Sequence, residues 1–222
     1  MAAKLKKGIF ITFEGTEGSG KSTQSKMLTA FLKKKGFKVA HIWDPGSTSL
    51  GESVRDILLN SKDNFSYTSE TLLYLAARAQ LAEEKILPAL KDGSIVICDR
   101  FIDATISYQG YGLGIDVKEI ERMNKFVISP IREPDLTIFL EVDICKGLER
   151  AHSVKGFSDR IERRSIDFHK RVKSGYMALS KKYPKRIKRI SIEKNDIKDT
   201  QEIVRSAVLD VIKGRKGTRK RA

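Results

Sequence analysis

The stretch that most constrains the fold is Gly15-Thr16-Glu17-Gly18-Ser19-Gly20-Lys21-Ser22. It fits G-x-x-x-x-G-K-[ST], a spacing in which a strand ends, a loop turns tightly and a helix begins. The flanks agree. Before the loop, residues 8–13 are a short run rich in strand formers; after it, Thr23-Gln24-Ser25-Lys26-Met27-Leu28 opens a helical pattern. Glycines at 15, 18 and 20 reach backbone dihedrals closed to other residues. Successive N–H groups can then turn inward as a nest for phosphate oxygens, and the positive end of the helix starting near Lys21 adds to it. In such a loop the lysine reaches the outer phosphates and the serine hydroxyl binds Mg²⁺.

The rest of the chain alternates strand and helix patterns. Residues 27–32 repeat apolar side chains at helical spacing and Gly36 stops them. Residues 37–42 read as a second strand, and Pro45-Gly46 as a turn. Residues 50–59 form an amphipathic helix with Arg55 on its polar side. Residues 68–91 read as a long helix broken near Pro88. Residues 94–99 are an apolar strand ending in the Asp99 carboxylate, as the Mg²⁺-side strand of phosphate-loop proteins does. A helix over 116–127, a strand over 136–142, a helix over 168–179, a strand over 187–192 and a helix over 203–212 follow. This predicts an α/β fold: a three-layer sandwich of the phosphate-loop nucleoside-triphosphatase type, with five parallel strands flanked by helices.

At 222 residues with 40% hydrophobic content, the chain suits one domain over residues 1–212. Residues 150–164 are charged and poor in apolar side chains, which predicts a mobile lid. Residues 213–222 are basic, which predicts a disordered tail. Cys98 and Cys145 both lie in apolar, strand-like surroundings and read as buried free thiols of a reducing compartment. No apolar run approaches ~20 residues, so no membrane span is expected, and with no signal-peptide pattern the cytoplasm is the expected location. The net charge of +15 raises nucleic acid as a partner. No aromatic residues interleave a basic stripe, so the excess reads as solvated charge, and nucleic acid is not expected to bind.

By Asp99-Arg100-Phe101 and Tyr108-Gln109-Gly110-Tyr111-Gly112 the chain resembles the bacterial thymidylate kinase family over roughly residues 8–212. The phosphate loop, Tyr74-Leu75-Ala76-Ala77-Arg78 and Asp159-Arg160-Ile161-Glu162 agree with that family in order and spacing. The resemblance implies transfer of the ATP γ-phosphoryl group to dTMP, giving dTDP for dTTP synthesis, with Mg²⁺ and as a homodimer. It assigns Gly15, Thr16, Glu17, Gly18, Ser19, Gly20, Lys21, Ser22 and Thr23 to ATP. Ser22 and Asp99 go to the metal, and Lys21, Asp99 and Arg100 to catalysis. On the dTMP side it implies Arg100 and Arg55 on the monophosphate, Tyr74 stacked on thymine, and Arg78 and Gln109 on the base edge. Tyr108 would pack against the sugar at C2′, Glu17 would take the 3′-hydroxyl, and Pro45 and Thr105 would complete the pocket. Two polyanions brought together this way need cationic forks from two sides, and arginine supplies the planar fork.

The chain departs from the family in two places. Family members without an arginine in the phosphate loop carry catalytic arginines in the lid. Ser19 precedes Gly20 here, so the lid is expected to supply the charge. Arg150 matches one basic lid residue, Lys155 stands where many relatives have arginine, and His152 where another is common; Arg150 and Lys155 are the candidates. Relatives usually read Arg-Glu-Pro-Gly-Gly-Thr where this chain has Trp43-Asp44-Pro45-Gly46-Ser47-Thr48, which implies altered support of the monophosphate site. Two other functions fit the loop: a kinase of thymidine itself, which has no use for the Arg55 and Arg100 clamps, and a nucleotide-gated nucleic-acid-binding protein.

Overall fold

Parallel strands covered on both faces are apolar along their length. Strand β1 (Ile9–Glu14) is the clearest case, with all six residues buried. It lies between β3 (Ile95–Asp99) and β4 (Leu136–Glu141), with Phe13 beside Asp99 and beside Ile138. β2 (Val39–Trp43) and β5 (Ile187–Ser191) form the edges. The sheet of the computed structural model is wholly parallel, in the order β2-β3-β1-β4-β5. The structure describes residue 5 and residues 7–156, 159–193 and 196–217, without the side chains of residues 155 and 216.

Period-2 alternation sorts the strand residues into two cores. Ile9, Ile11, Ile95 and Ile97 pack with Leu28 and Leu32 of α1 (Lys21–Lys34) and Val204 and Val208 of α9 (Ile197–Gly217). On the other face Phe10, Val96 and Cys98 meet Leu81, the end of α3 (Tyr67–Leu81). On that face too, Phe139 and Ile187 meet Phe168, Val172 and Tyr176 of α8 (Ile166–Lys182). Between β2 and α3 runs α2 (Ser49–Asn60), capped by the Thr48 hydroxyl. Among the described residues no helix is long and apolar enough to cross a membrane.

Several elements differ from expectation. The chain is not broken at Pro88. A π turn over Ala82–Ile86 widens the helix just before α4 (Leu87–Lys91), which starts with Pro88 in its first turn, where a missing N–H costs least. After β3, α5 (Ile102–Thr105) and a second π turn (Ile106–Gly112) precede α6 (Val117–Val127). This helical segment gave no periodic signal because it is buried nearly all round. Of the 150–164 stretch, residues 150–155 complete α7 (Ile144–Lys155). Residues 159–164 are pinned rather than bare: Ile161 is buried, and Arg160 and Arg164 both bond the buried Glu70. Cys98 is buried as expected, but Cys145 is exposed, because it opens helix α7 instead of continuing strand β4. The last helix runs past residue 212, where the tail was expected to begin. α9 continues to Gly217 with Arg215 paired to Asp135, and residues 218–222 lie outside the described residues.

Candidate active site

The sheet order sets the ends of β1 and β3 side by side, so the loop after β1 and the Asp99-Arg100 turn after β3 open into one crevice, where open α/β sheets bind ligands. A cleft of about 1550 Å³ runs from the loop to α3. Gly18, Ser19, Gly20, Lys21, Ser22 and Thr23 line one part of it. Gly15 and Thr16 sit behind them. Gly15 gives its carbonyl to Arg100 Nη1 at 2.8 Å, and Thr16 gives its carbonyl to Lys21 Nζ at 2.8 Å. Gly18 has φ 62° and Gly20 φ 83°. A Cβ on Gly18 would stand 1.9 Å from the Gly147 carbonyl, so the loop tolerates no side chain where α7 passes. Lys21 Nζ also reaches Ser19 Oγ at 3.2 Å. Burial and the nearby Arg100 lower the Lys21 pKa to about 8.

Ser22 Oγ donates to Asp99 Oδ2 at 2.6 Å, across 77 residues of sequence. A hydroxyl and a carboxylate are hard oxygen donors that suit Mg²⁺, an ion that takes its remaining ligands from phosphate and water. Among the described residues no cluster of three or more acidic, histidine or cysteine side chains forms a self-sufficient metal cage. The pair therefore fits a shared ion rather than a closed site.

Arg100 is held in the left-handed region, φ 67°, a strained setting for a residue that carries a Cβ. Its Nη2 lies 3.2 Å from Glu17 Oε1, and its guanidinium stacks 5.0 Å from the Tyr108 ring centroid. Tyr108 donates to the same Glu17 oxygen at 2.5 Å. Burial alone would raise the Glu17 pKa. His169, Arg100, Lys21 and Tyr108 outweigh it and hold the carboxyl well below the usual range. Glu17 is thus an ionised acceptor on the floor of the cleft.

Across the cleft Arg55 donates to the Pro45 carbonyl at 3.1 Å, and both line it. Tyr74 and Arg78, one turn apart on α3, share the face turned to the cleft. Arg78 is 1% exposed. Its Nε donates to Asp44 at 2.6 Å, Nη1 to Thr105 and Asn124, and Nη2 to the Phe101 carbonyl. Gln109 is buried at the same end, its Nε2 3.2 Å from Glu70 Oε1. Arg150 lines the cleft from α7, whereas Lys155 ends that helix and its side chain lies outside the described residues.

Three residues that matter here were not found by reading the sequence. Asp44, given no role there, anchors Arg78, and burial raises its pKa against the opposing pull of that arginine. Asn124 and Glu70 support Arg78 and Gln109 from 46 and 39 residues away. No local pattern marks such partners. Lys146 of α7 also faces the cleft, one lysine among many in a basic chain.

Comparison with known proteins places this geometry. A family model described as Thymidylate kinase matches residues 13–204. The chain is 45% identical over 180 residues to the thymidylate kinase of Thermoanaerobacter sp. (strain X514), covering 81% of this chain and 87% of that one. It is 46% identical over 204 residues to the thymidylate kinase of Protochlamydia amoebophila, covering 88% and 90%. The crystal structure of thymidylate kinase from Ehrlichia chaffeensis superposes with a TM-score of 0.75 at 36% identity, over 91% of this chain and 99% of that one.

Proposed function

The chain belongs to the thymidylate kinase family and so is a kinase of dTMP; we propose that its donor is ATP with Mg²⁺ and that the residues above divide the work as follows. The loop amides, Lys21 and Ser22 hold the triphosphate. Ser22 and Asp99 hold the ion, which when bound neutralises charge developing on the bridging phosphate oxygens. Arg100 and Arg55 clamp the monophosphate and aim its oxygen at the γ-phosphorus. Tyr74 stacks on the base, Arg78 and Gln109 read its edge, Tyr108 closes the sugar pocket at C2′, Glu17 accepts from the 3′-hydroxyl, and Pro45 and Thr105 shape the walls. Residues 150–164 act as the lid, with Arg150 and Lys155 bringing positive charge to the transferring group in place of a loop arginine. The reaction is largely positioning and charge neutralisation, and these groups supply both.

The observation that carries this reading is the contact of Arg100 with Gly15 and Glu17. It fixes a strand-end arginine against the phosphate loop at the meeting point of two anionic substrates. The protein acts in the cytoplasm, as a homodimer. Exposed apolar side chains on α2, α3 and α6, among them Ile57, Leu72 and Phe126, support the dimer. The test is a substrate panel. ADP formation from ATP should depend on Mg²⁺ and on dTMP. Equal or better turnover of AMP, GMP or CMP rejects the specificity, and thymidine outperforming dTMP would return the nucleoside-kinase reading.

A further inference from the structure

Glu70 lies on α3, 1% exposed, and has no part in the division of work proposed above. Its Oε2 accepts from Arg160 Nη2 at 2.7 Å and from Arg164 Nη2 at 2.5 Å. Its other oxygen accepts from Gln109 Nε2. A carboxylate paired with two guanidiniums is an acceptor only. An amide facing it has one option: the NH₂ turns toward Glu70 and the carbonyl turns away. Among the described residues the side-chain carbonyl of Gln109 takes no hydrogen bond, and Gln109 lines the cleft. Arg78 has five N–H groups, four of them spent on Asp44, Thr105, Asn124 and Phe101, which leaves one on a side chain that also lines the cleft. The base end of the cleft therefore offers one donor and one acceptor.

We propose that Glu70 is a specificity-determining positioning residue: it locks the Gln109 amide with its carbonyl toward the base, so that the pocket accepts a pyrimidine edge of C4 carbonyl and N3–H and rejects one of C4 amine and bare N3. A free glutamine could turn over and greet either edge, since its two ends are nearly the same size. Locking it converts a permissive contact into a selective one, because the wrong base then sets acceptor against acceptor and leaves buried groups unpaired. The same carboxylate holds Arg160 and Arg164, so the turn at 159–164 and the base reader share one anchor.

This inference rests on the dTMP reading, and the probe is chosen to separate the two. 5-Methyl-dCMP differs from dTMP only along the N3–C4 edge. The quantity is the ratio of kcat/KM for dTMP over 5-methyl-dCMP, which is indifferent to the fraction of folded protein because both substrates meet the same population. Glu70→Gln should lower the ratio about tenfold or more. Glu70→Asp keeps the charge for the two arginines but withdraws from Gln109. It should lower the ratio as well, and it carries the test if Glu70→Gln does not fold. In a Gln109→Leu background, Glu70→Gln should lower the ratio no further. A wild-type preference for dTMP that survives both Glu70 variants overturns the proposal, as does an equal loss with and without Gln109, which would mean that Glu70 acts through the arginines alone. A wild-type protein with no preference for dTMP over 5-methyl-dCMP would instead overturn the dTMP reading beneath it.

Discussion

Lys21 and Glu14 are two buried charges whose surroundings push them toward neutrality, and each makes a pH-dependent prediction. Lys21 has its pKa lowered to about 8 by burial and by Arg100. Phosphate oxygens arriving at Nζ favour the ammonium and raise that pKa again. ATP binding should therefore take up a proton above about pH 8, and ATP affinity should fall as pH rises through 8. Calorimetry at pH 8.5 in buffers of different ionisation enthalpy reads the uptake, which should be absent in Lys21→Ala, together with a loss of at least about 10²-fold in kcat. Glu14, at the end of β1, is fully buried. It accepts from the Phe101 N–H at 2.8 Å and from Tyr176 at 2.8 Å. Burial, with Asp103 adding to it, raises its pKa from 4.5 to about 8. The folded state then holds a proton that the unfolded chain releases above pH 4.5. This group's contribution to stability is complete below that pH and is lost as pH rises toward 8. Glu14→Gln keeps the shape and an acceptor for Phe101 without the ionisation. By urea unfolding, the variant should gain on the wild type between pH 5 and pH 8 by about 1–3 kcal/mol. An equal difference at both pH values would mean that Glu14 is already ionised in the folded protein.

At the scale of elements, α7 and the phosphate loop meet backbone to backbone. A Cβ on Gly147 would stand 2.5 Å from the Glu17 carbonyl, so the first turn of α7 rests on the loop with no room between. Gly147→Ala must push the two apart. The expected cost is about 1–3 kcal/mol of stability, with KM for ATP raised about tenfold or more and KM for dTMP changed less. Gly214→Ala on α9, where a Cβ has open space, should leave both KM values unchanged and serves as the control. The loop itself was legible because its spacing is fixed by chemistry, and the central strands because burial on both faces leaves apolar runs such as 95–98 and 138–140. The π turns were not legible. They are set by tertiary packing, as where Gly175 of α8 lies so close to Ser107 and Tyr111 that a Cβ would come within 3.0 Å of both. The start of α7 was misread for a similar reason. Val142, Ile144 and Cys145 extend an apolar run, but Asp143 accepts from the Lys146 N–H and caps a helix there.

At the scale of the whole molecule, the site joins residues that the chain keeps far apart, and this decides which parts of it a sequence can show. The side chains proposed to meet substrate lie in short motifs, so Lys21, Asp99, Arg100, Tyr74, Arg78 and Gln109 could be singled out in advance, and the fold brings them to one cleft. Their supports, Asp44, Asn124 and Glu70, come from other elements and are read only once those elements pack. The outer surface poses the remaining question. Helices α2 and α3 pack on each other, and α6 packs on α3, yet Ile57, Leu72 and Phe126 stay 41%, 52% and 82% exposed on them. Large apolar side chains left bare on neighbouring helices are the pattern of a surface covered by a second copy. These helices also carry Arg55, Tyr74 and Arg78, so a dimer seated there would brace from behind the side of the cleft proposed to hold the monophosphate and base. Leu72→Glu places a charge in that contact without touching the cleft. Sedimentation should give twice the 25.0 kDa chain mass for the wild type and a single chain for the variant. KM for dTMP should rise in the monomer while KM for ATP, set by the loop and α1, should stay within about twofold, the usual scale for a change remote from a site. A wild type that sediments as one chain at micromolar concentration would remove the dimer, and with it the bracing of α2 and α3, while leaving the chemistry at Lys21 and Arg100 as described.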